Sequence, residues 1–147
     1  MTLNELRGFV GREIAVTEWL EITQERIDKF ADATGDRQWI HLDSERAERE
    51  SPYGGTIAHG FLTLSLLVKF LGEVVELSDV RMAINYGLNR VRFPSAVRAG
   101  SRIRARIVLQ SMREVGEAVE AIYAITIECE GSQKPCCVAE QVVRYYD

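Results

Sequence analysis

Two histidines, one aspartate and one glycine are the residues whose types and positions best suggest chemistry. The chain has only two histidines, His41 and His59, and Asp36 lies five positions before His41. On a helix this spacing would place the two side chains about 140° apart, so shared chemistry requires a turn, which Gly35 can provide. A carboxylate and an imidazole that converge on one water form a general acid/base pair. The alternative is that Asp36 is a turn residue bonded to nearby amides and His41 is a partly buried packing residue.

Gly60 is the second candidate, because it follows His59 directly and starts an apolar segment. Amides in the first turn of a helix have no acceptor within the helix, and the helix dipole adds partial positive charge. The Gly60 N–H can therefore bind a developing oxyanion, and a glycine lets a ligand approach the backbone closely. The alternative is a glycine that serves only the turn before the helix.

The elements that must position these residues change from helical patterns to strand patterns along the chain. A short strand is predicted around residues 13–19, and Thr23 is the predicted N-cap of a helix that ends at Gly35. The sequence DRQWIHLD is too irregular to continue this helix. Asp43 or Ser44 is expected to cap a short charged helix, SERAERE, which is followed by the loop SPYGGT.

The segment from Gly60 to Gly72 contains FLTLSLLVKFL, which is apolar on nearly every side and predicts a helix buried in the middle of the fold. After Ser78 the apolar residues recur at every second position, which predicts three or four antiparallel strands over residues 81–146. Helices followed by strands are typical of the α+β class. We therefore expect a curved antiparallel sheet wrapped around one apolar helix.

Composition limits the class of protein. The 147 residues are 46% hydrophobic and 27% charged, which predicts one globular domain over residues 1–147. No apolar run is long enough to cross a membrane, and the N-terminal residues do not resemble a secretory signal, so we expect a cytoplasmic protein without membrane contact. The three cysteines have no metal-ligand spacing and are expected to be reduced. We expect neither a metal ion nor a cofactor.

The net charge of −4 argues against a nucleic-acid partner, but the charge is unevenly distributed. Residues 81–106 contain seven arginines and no acidic residue, so this segment carries +7 and the rest of the chain −11. Such a segment can bind a phosphorylated small molecule, although a solvated strand face is the commoner explanation.

Three stretches of the sequence resemble one family. FADATGDRQWIHLDSERA, then YGGTIAHGFLTLSLL and later YGLNRVRFPSAVRAGSRIRARI look like the MaoC-like dehydratases, which include R-specific enoyl-CoA hydratases, and especially their NodN-type branch. The resemblance covers residues 22–108. It implies the hot-dog fold, in which a sheet wraps around a central helix, and reversible hydration of a trans-2-enoyl-CoA to an R-3-hydroxyacyl-CoA.

The resemblance also implies roles for single residues. Asp36 and His41 match the family's catalytic pair, and Gly60 matches the glycine whose amide polarises the thioester carbonyl. Gln38 and Trp39 stand where the family has Asn and Pro. Val68 stands at the position of a serine that supports the aspartate in the family, and Ser65, one turn earlier, is the candidate replacement. We also expect Trp39 and His59 to contact substrate.

An acyl-CoA substrate would give the basic segment a partner, since coenzyme A has a 3′-phosphate and a pyrophosphate and arginine binds both through forked donors. Arg90, Arg92 and Arg98 are the candidates, because the alternating Arg102, Arg104 and Arg106 resemble an ordinary outward face. The resemblance further implies a homodimer whose sheets join edge to edge. Two alternatives stay open, namely an acyl-CoA thioesterase of the same fold and a non-catalytic module that binds acyl thioesters.

Overall fold

The computed structural model describes residues 1–147, which form six helices and six strands. The helices are α1 (Leu3–Arg7), α2 (Gln24–Thr34), α3 (Trp39–Leu42), α4 (Ser44–Glu50), α5 (Gly60–Ser65) and α6 (Leu67–Val74). The strands are β1 (Arg12–Val16), β2 (Leu20–Glu21), β3 (Met82–Arg92), β4 (Arg102–Val115), β5 (Ala118–Cys129) and β6 (Cys137–Tyr146).

All strands belong to one antiparallel sheet in the order β1-β4-β5-β6-β3, and β2 pairs with the start of β4. The period-two pattern sets the two faces, because Ile103, Ala105 and Ile107 are fully buried while the arginines between them face outward. Four strands cover the region after Ser78, which confirms the predicted α+β class. β3 lies at one edge of the sheet and nine of its eleven residues are exposed.

The sheet wraps around α5 and α6, as predicted. Leu62, Leu67 and Phe70 from these helices belong to the same buried core as the inward residues of β4 and β5, including Ile107 and Tyr123. Burying this apolar helical face against the sheet is the main source of stability for such a layered fold.

The central helix differs from the prediction in two respects. It is interrupted at Leu66, where the Ser65 hydroxyl donates to the Leu62 carbonyl at 2.7 Å and competes with the helical hydrogen bonds. It is also not buried on every side, since Phe61 is 70% exposed and Val68 is 54% exposed. The helix lies in the core as predicted, but the sheet covers only one side of it in the single chain.

The elements around the candidate residues largely follow their capping signals. Thr23 Oγ1 accepts a hydrogen bond from the Arg26 amide at 3.1 Å, and Gly35 ends α2 in the left-handed conformation with φ of 78°. Asp43 caps α4 in the same way as Thr23 caps α2. The segment DRQWIHLD does not continue α2, as predicted, although it contains the separate short helix α3. The first strand also ends earlier than predicted, at Val16.

Two further findings concern the helices and the cysteines. No helix has the length and hydropathy that a membrane span needs. The three cysteines are free and buried, and burial raises the pKa of Cys136 to about 12 and that of Cys137 to about 11. These thiols are therefore protonated packing groups.

Candidate active site

Asp36, His41 and His59 come together near the start of the central helix, where His59 is the N-cap of α5. The left-handed turn at Gly35 reverses the chain after α2, and α3 carries His41 back towards Asp36. One oxygen or nitrogen of each of the three side chains lies within 4.8 Å of the others. A water that makes two hydrogen bonds of about 2.8 Å with an angle near tetrahedral spans about 4.6 Å. The spacing therefore suits a water held between the carboxylate and an imidazole.

The His41 ring is held in one tautomer by the backbone. It is 6% exposed, and its Nδ1 lies 2.7 Å from the Ile57 carbonyl oxygen. Because a carbonyl can only accept, Nδ1 carries the proton and Nε2 keeps its lone pair. Burial lowers the pKa of His41 and His59 lowers it further, against the opposing effects of the Ile57 hydrogen bond and of Asp36. Neutral His41 at pH 7 is therefore an acceptor for a proton.

The Asp36 side chain is exposed and keeps most of its acceptor capacity. Its Oδ1 lies 3.4 Å from the Gln38 amide, which is a long hydrogen bond of the Asx-turn type. The turn role considered for Asp36 is thus present, and the second oxygen remains available to a ligand.

The Gly60 amide is unpaired within the protein. His59 is the N-cap of α5 without a capping side-chain bond, and its carbonyl accepts from the amides of Leu62 and Thr63 but not from that of Gly60. Gly60 lines a cavity of about 370 Å³ together with Thr63, Phe93 and eight other residues. A Cβ at Gly60 would lie 3.3 Å from the Phe93 ring, so a glycine keeps the backbone accessible here. Asp36 and His41 do not line this cavity.

Sequence reasoning missed the groups that hold His41 in place. Gln24 donates to the His41 carbonyl at 2.8 Å and accepts from the Thr56 hydroxyl at 2.6 Å, so it joins α2 to both segments of the site. The Ile57 amide in turn donates to the Ile40 carbonyl at 3.0 Å. Gln24 follows the N-cap Thr23 directly, but nothing in the local sequence indicates which distant segment its amide contacts.

Three other candidate residues have contacts that bear on their predicted roles. The Ser65 hydroxyl donates its only proton to the Leu62 carbonyl at 2.7 Å rather than to Asp36, and its suggested replacement of the family serine stays a prediction. Trp39 is half-buried and the Arg46 guanidinium lies over its ring at 4.2 Å. His59 is 3% exposed, and its ring contacts those of His41 and Phe30, which leaves little of it for direct contact with substrate.

The arginines fall into two groups, as the sequence suggested. Arg102, Arg104 and Arg106 pair with Glu130, Glu128 and Glu13 at 2.5, 2.8 and 3.1 Å, so their charge is largely neutralised. Arg90, Arg92 and Arg98 are exposed and form no ion pair. Arg98 donates to the Gly54 carbonyl at 3.2 Å, close to the cavity beside Gly60.

Arg90 and Arg92 line a second cavity, of about 430 Å³. Pro94 lines this cavity as well as the one beside Gly60. The three unpaired arginines therefore lie in one segment, residues 90–98, which borders both cavities.

A metal centre does not fit the histidine pair. The two rings are stacked with centroids 3.8 Å apart and an interplanar angle of 25°. An ion bound to both rings would have to lie near the plane of each ring, at about 2.0–2.1 Å from a ring nitrogen. Because the two ring planes are nearly parallel and separated, they do not meet so close to the rings, and no position satisfies both. The donors are thus arranged for hydrogen bonding.

A curved antiparallel sheet around a central helix is a hot-dog fold. The Asp36–His41 pair and the free Gly60 amide lie where that helix begins and form a hydrogen-bonding site. The model of the MaoC like domain matches residues 6–128. The chain belongs to the MaoC-like dehydratase family, as the sequence resemblance predicted.

Individual relatives agree with this assignment. The chain is 49% identical to 3-hydroxyacyl-thioester dehydratase Z of Mycobacterium tuberculosis, over 96% of this chain and 93% of that protein. It is 44% identical to nodulation protein N of Rhizobium leguminosarum, over 97% and 89%. Among solved structures, the unliganded R-hydratase of Pseudomonas aeruginosa superposes with a TM-score of 0.72 at 21% identity, over 94% of this chain and 82% of that one, which supports the fold.

Proposed function

We propose that the protein is an R-specific enoyl-CoA hydratase, which adds water reversibly to a trans-2-enoyl-CoA. The observation that carries the proposal is the convergence of Asp36 and His41, with the His41 Nε2 lone pair free and a spacing that suits one bound water. The dehydratase relative at 49% identity acts, by its name, on 3-hydroxyacyl thioesters, which are the products of such a hydration.

The reaction needs a base for water, a proton for C2 and stabilisation of the thioester oxygen. A water between Asp36 and His41 loses one proton to the pair while its oxygen bonds to C3 of the alkene. The electron pair of the double bond moves to C2, and the pair returns one proton to C2 from the same side. The sum is one water added, and the pair ends in its starting state.

Negative charge on the thioester oxygen develops during this step, and the Gly60 N–H is the proposed donor to it. A preorganised amide stabilises such an oxyanion without reorganisation. Because α5 has only six residues, the direct hydrogen bond matters more than the dipole of the whole helix.

One assay distinguishes hydration from the two alternatives. Purified protein is incubated with crotonyl-CoA, and the absorbance of the conjugated alkene and the release of free thiol are followed in parallel. Loss of alkene absorbance without thiol supports the hydratase. Thiol release indicates a thioesterase, and saturable binding without either change indicates a binding module.

We further propose that Arg90, Arg92 and Arg98 bind the phosphates of coenzyme A. Their support is the contrast with the neighbouring arginines, because only these three in residues 90–106 lack a carboxylate partner. An unpaired exposed guanidinium can bind phosphate without first losing an ion pair.

We expect Arg92→Glu and Arg98→Glu each to raise KM for crotonyl-CoA about tenfold, which corresponds to the loss of one charge-assisted contact. KM for the crotonyl thioester of pantetheine, which has no phosphate, should stay the same. Arg49→Glu, an exposed arginine of α4, is the control for the change in net charge. Unchanged KM for crotonyl-CoA in both variants would exclude contacts there.

We also propose that a second copy of the chain pairs with the edge strand β3. Met82, Ile84, Tyr86 and Leu88 on this strand are 40–58% exposed, and an exposed apolar edge is a template for another strand. The exposed Phe61 and Val68 on the central helix extend the apolar surface. Edge-to-edge pairing would join two sheets and cover part of this surface.

We expect sedimentation equilibrium to give twice the chain mass of 16.6 kDa. Ile84→Lys should shift the protein towards the monomer, because a charged residue on an edge strand opposes pairing. Val10→Lys is the matched control, since Val10 is apolar and 42% exposed but lies outside the sheet edge. A wild-type monomer at high concentration, or equal dissociation of both variants, would contradict pairing through β3.

A further inference from the structure

His59 is a buried titratable group that the proposed mechanism does not use. It occupies the N-cap position of α5, yet its side chain makes no bond to the first turn of that helix. The ring instead turns towards the loop after α2, where Nε2 lies 3.0 Å from the backbone carbonyl oxygen of Asp36. Because the carbonyl only accepts, Nε2 is the donor.

Two aromatic rings contact the His59 ring. His41 stacks on it at 3.8 Å between centroids, and the Phe30 ring lies 4.9 Å away at an angle of 52°. His59 Nδ1 is buried without a hydrogen-bond partner. A buried polar atom without a partner costs free energy, so a residue chosen for packing alone would not need an imidazole here.

One ring therefore contacts both members of the proposed pair, through different interactions. The hydrogen bond fixes the backbone of Asp36, which is otherwise an exposed loop residue with only long bonds to Thr34 and Gln38. The stacking fixes the plane of the His41 ring, whose direction is set at its other end by the Ile57 carbonyl.

We propose that His59 is a positioning residue, which sets the distance and angle between the Asp36 carboxylate and the His41 ring. This inference rests on the proposed hydratase function for its catalytic readout. A small displacement of an acid/base group lowers turnover strongly, because the water must meet both groups at once. Substrate binding depends on other residues and should change little.

Two substitutions separate the two contacts. His59→Phe keeps an aromatic ring for stacking but removes the donor to the Asp36 carbonyl. His59→Gln keeps an amide donor but removes the ring. We expect kcat for crotonyl-CoA to fall about 10- to 100-fold in His59→Phe with KM within about twofold, and His59→Gln to recover part of this loss.

A spectroscopic readout tests positioning without any turnover. Since the chain has only two histidines, the imidazole signals of His59→Phe belong to His41 alone. Because His59 lowers the pKa of His41, we expect the NMR titration midpoint of His41 to rise in His59→Phe. The acid limb of the kcat/KM profile should move in the same direction. Leu6→Ala, which removes a buried side chain from α1, is the control for lost stability.

The two proposals fail in different ways. Wild-type protein that does not hydrate crotonyl-CoA contradicts the proposed function, and the His41 titration then decides the role of His59 alone. A His59→Phe variant with wild-type kcat overturns the positioning role. The positioning role is also overturned if kcat of His59→Phe falls while the His41 titration stays unchanged. That is the result expected of Leu6→Ala, and it indicates a purely structural role.

Discussion

Replacing Asp36 by Asn is expected to lower kcat for crotonyl-CoA hydration by about 10²- to 10⁴-fold, the range for a positioned acid/base group. Asparagine keeps the shape of the side chain and an oxygen for the Gln38 amide, so the turn after Gly35 should persist. What it removes is the second carboxylate oxygen that can hold and activate water. Steady-state kinetics together with the thermal unfolding midpoint separate a chemical effect from a loss of fold.

Asp32→Asn is the matched control for this substitution. Asp32 is an exposed carboxylate of α2 that pairs with Arg37, and exposed ion pairs contribute little to stability. The Asp32→Asn variant should keep the kcat of the wild type. Equal activity of wild type and Asp36→Asn would remove Asp36 from the mechanism.

Replacing His41 by Gln is expected to cause a loss of similar size, about 10²- to 10⁴-fold in kcat, because the amide cannot accept a proton. In the wild type, His41 must be neutral to take a proton from water, and burial lowers its pKa below 6.5. The acid limb of the kcat/KM profile should therefore lie below pH 6.5, with full activity at neutral pH.

The same pKa shift has a consequence for stability. Since the folded state binds the His41 proton less tightly than the unfolded state, the free energy of unfolding should increase as pH rises towards 6.5. This contribution should disappear in His41→Gln when unfolding is measured by denaturant titration at several pH values. An acid limb centred above pH 7 in the wild type would contradict the account of His41.

Capping signals and residue periodicity predicted most of the fold. Thr23, Gly35 and Asp43 bound their helices as expected, since these effects depend on neighbouring residues only. The sequence did not predict the interruption of the central helix at Leu66, because this depends on which carbonyl accepts the Ser65 hydroxyl proton. The exposure of Phe61 and Val68 was missed as well, because an apolar sequence does not show which side of a helix the sheet covers.

The sequence was enough to propose the reacting groups but not the groups that hold them in place. The chemistry of the Asp36 and His41 side chains and of the Gly60 amide suggested these residues, and the family resemblance pointed to the same three. Gln24, the Ile57 carbonyl and the stacking of His59 on His41 depend on contacts between distant segments. Only the folded chain brings these groups together.

In the proposed mechanism, Asp36 and His41 act as a unit on one face of the alkene. The most direct test is hydration of crotonyl-CoA in D₂O, with the relative configuration of the new C2 deuterium and C3 hydroxyl determined by proton NMR coupling and the absolute configuration at C3 by chiral chromatography of the hydrolysed product. The account predicts addition of both groups to the same face and the R configuration at C3. Addition to opposite faces, or an S product, would contradict it.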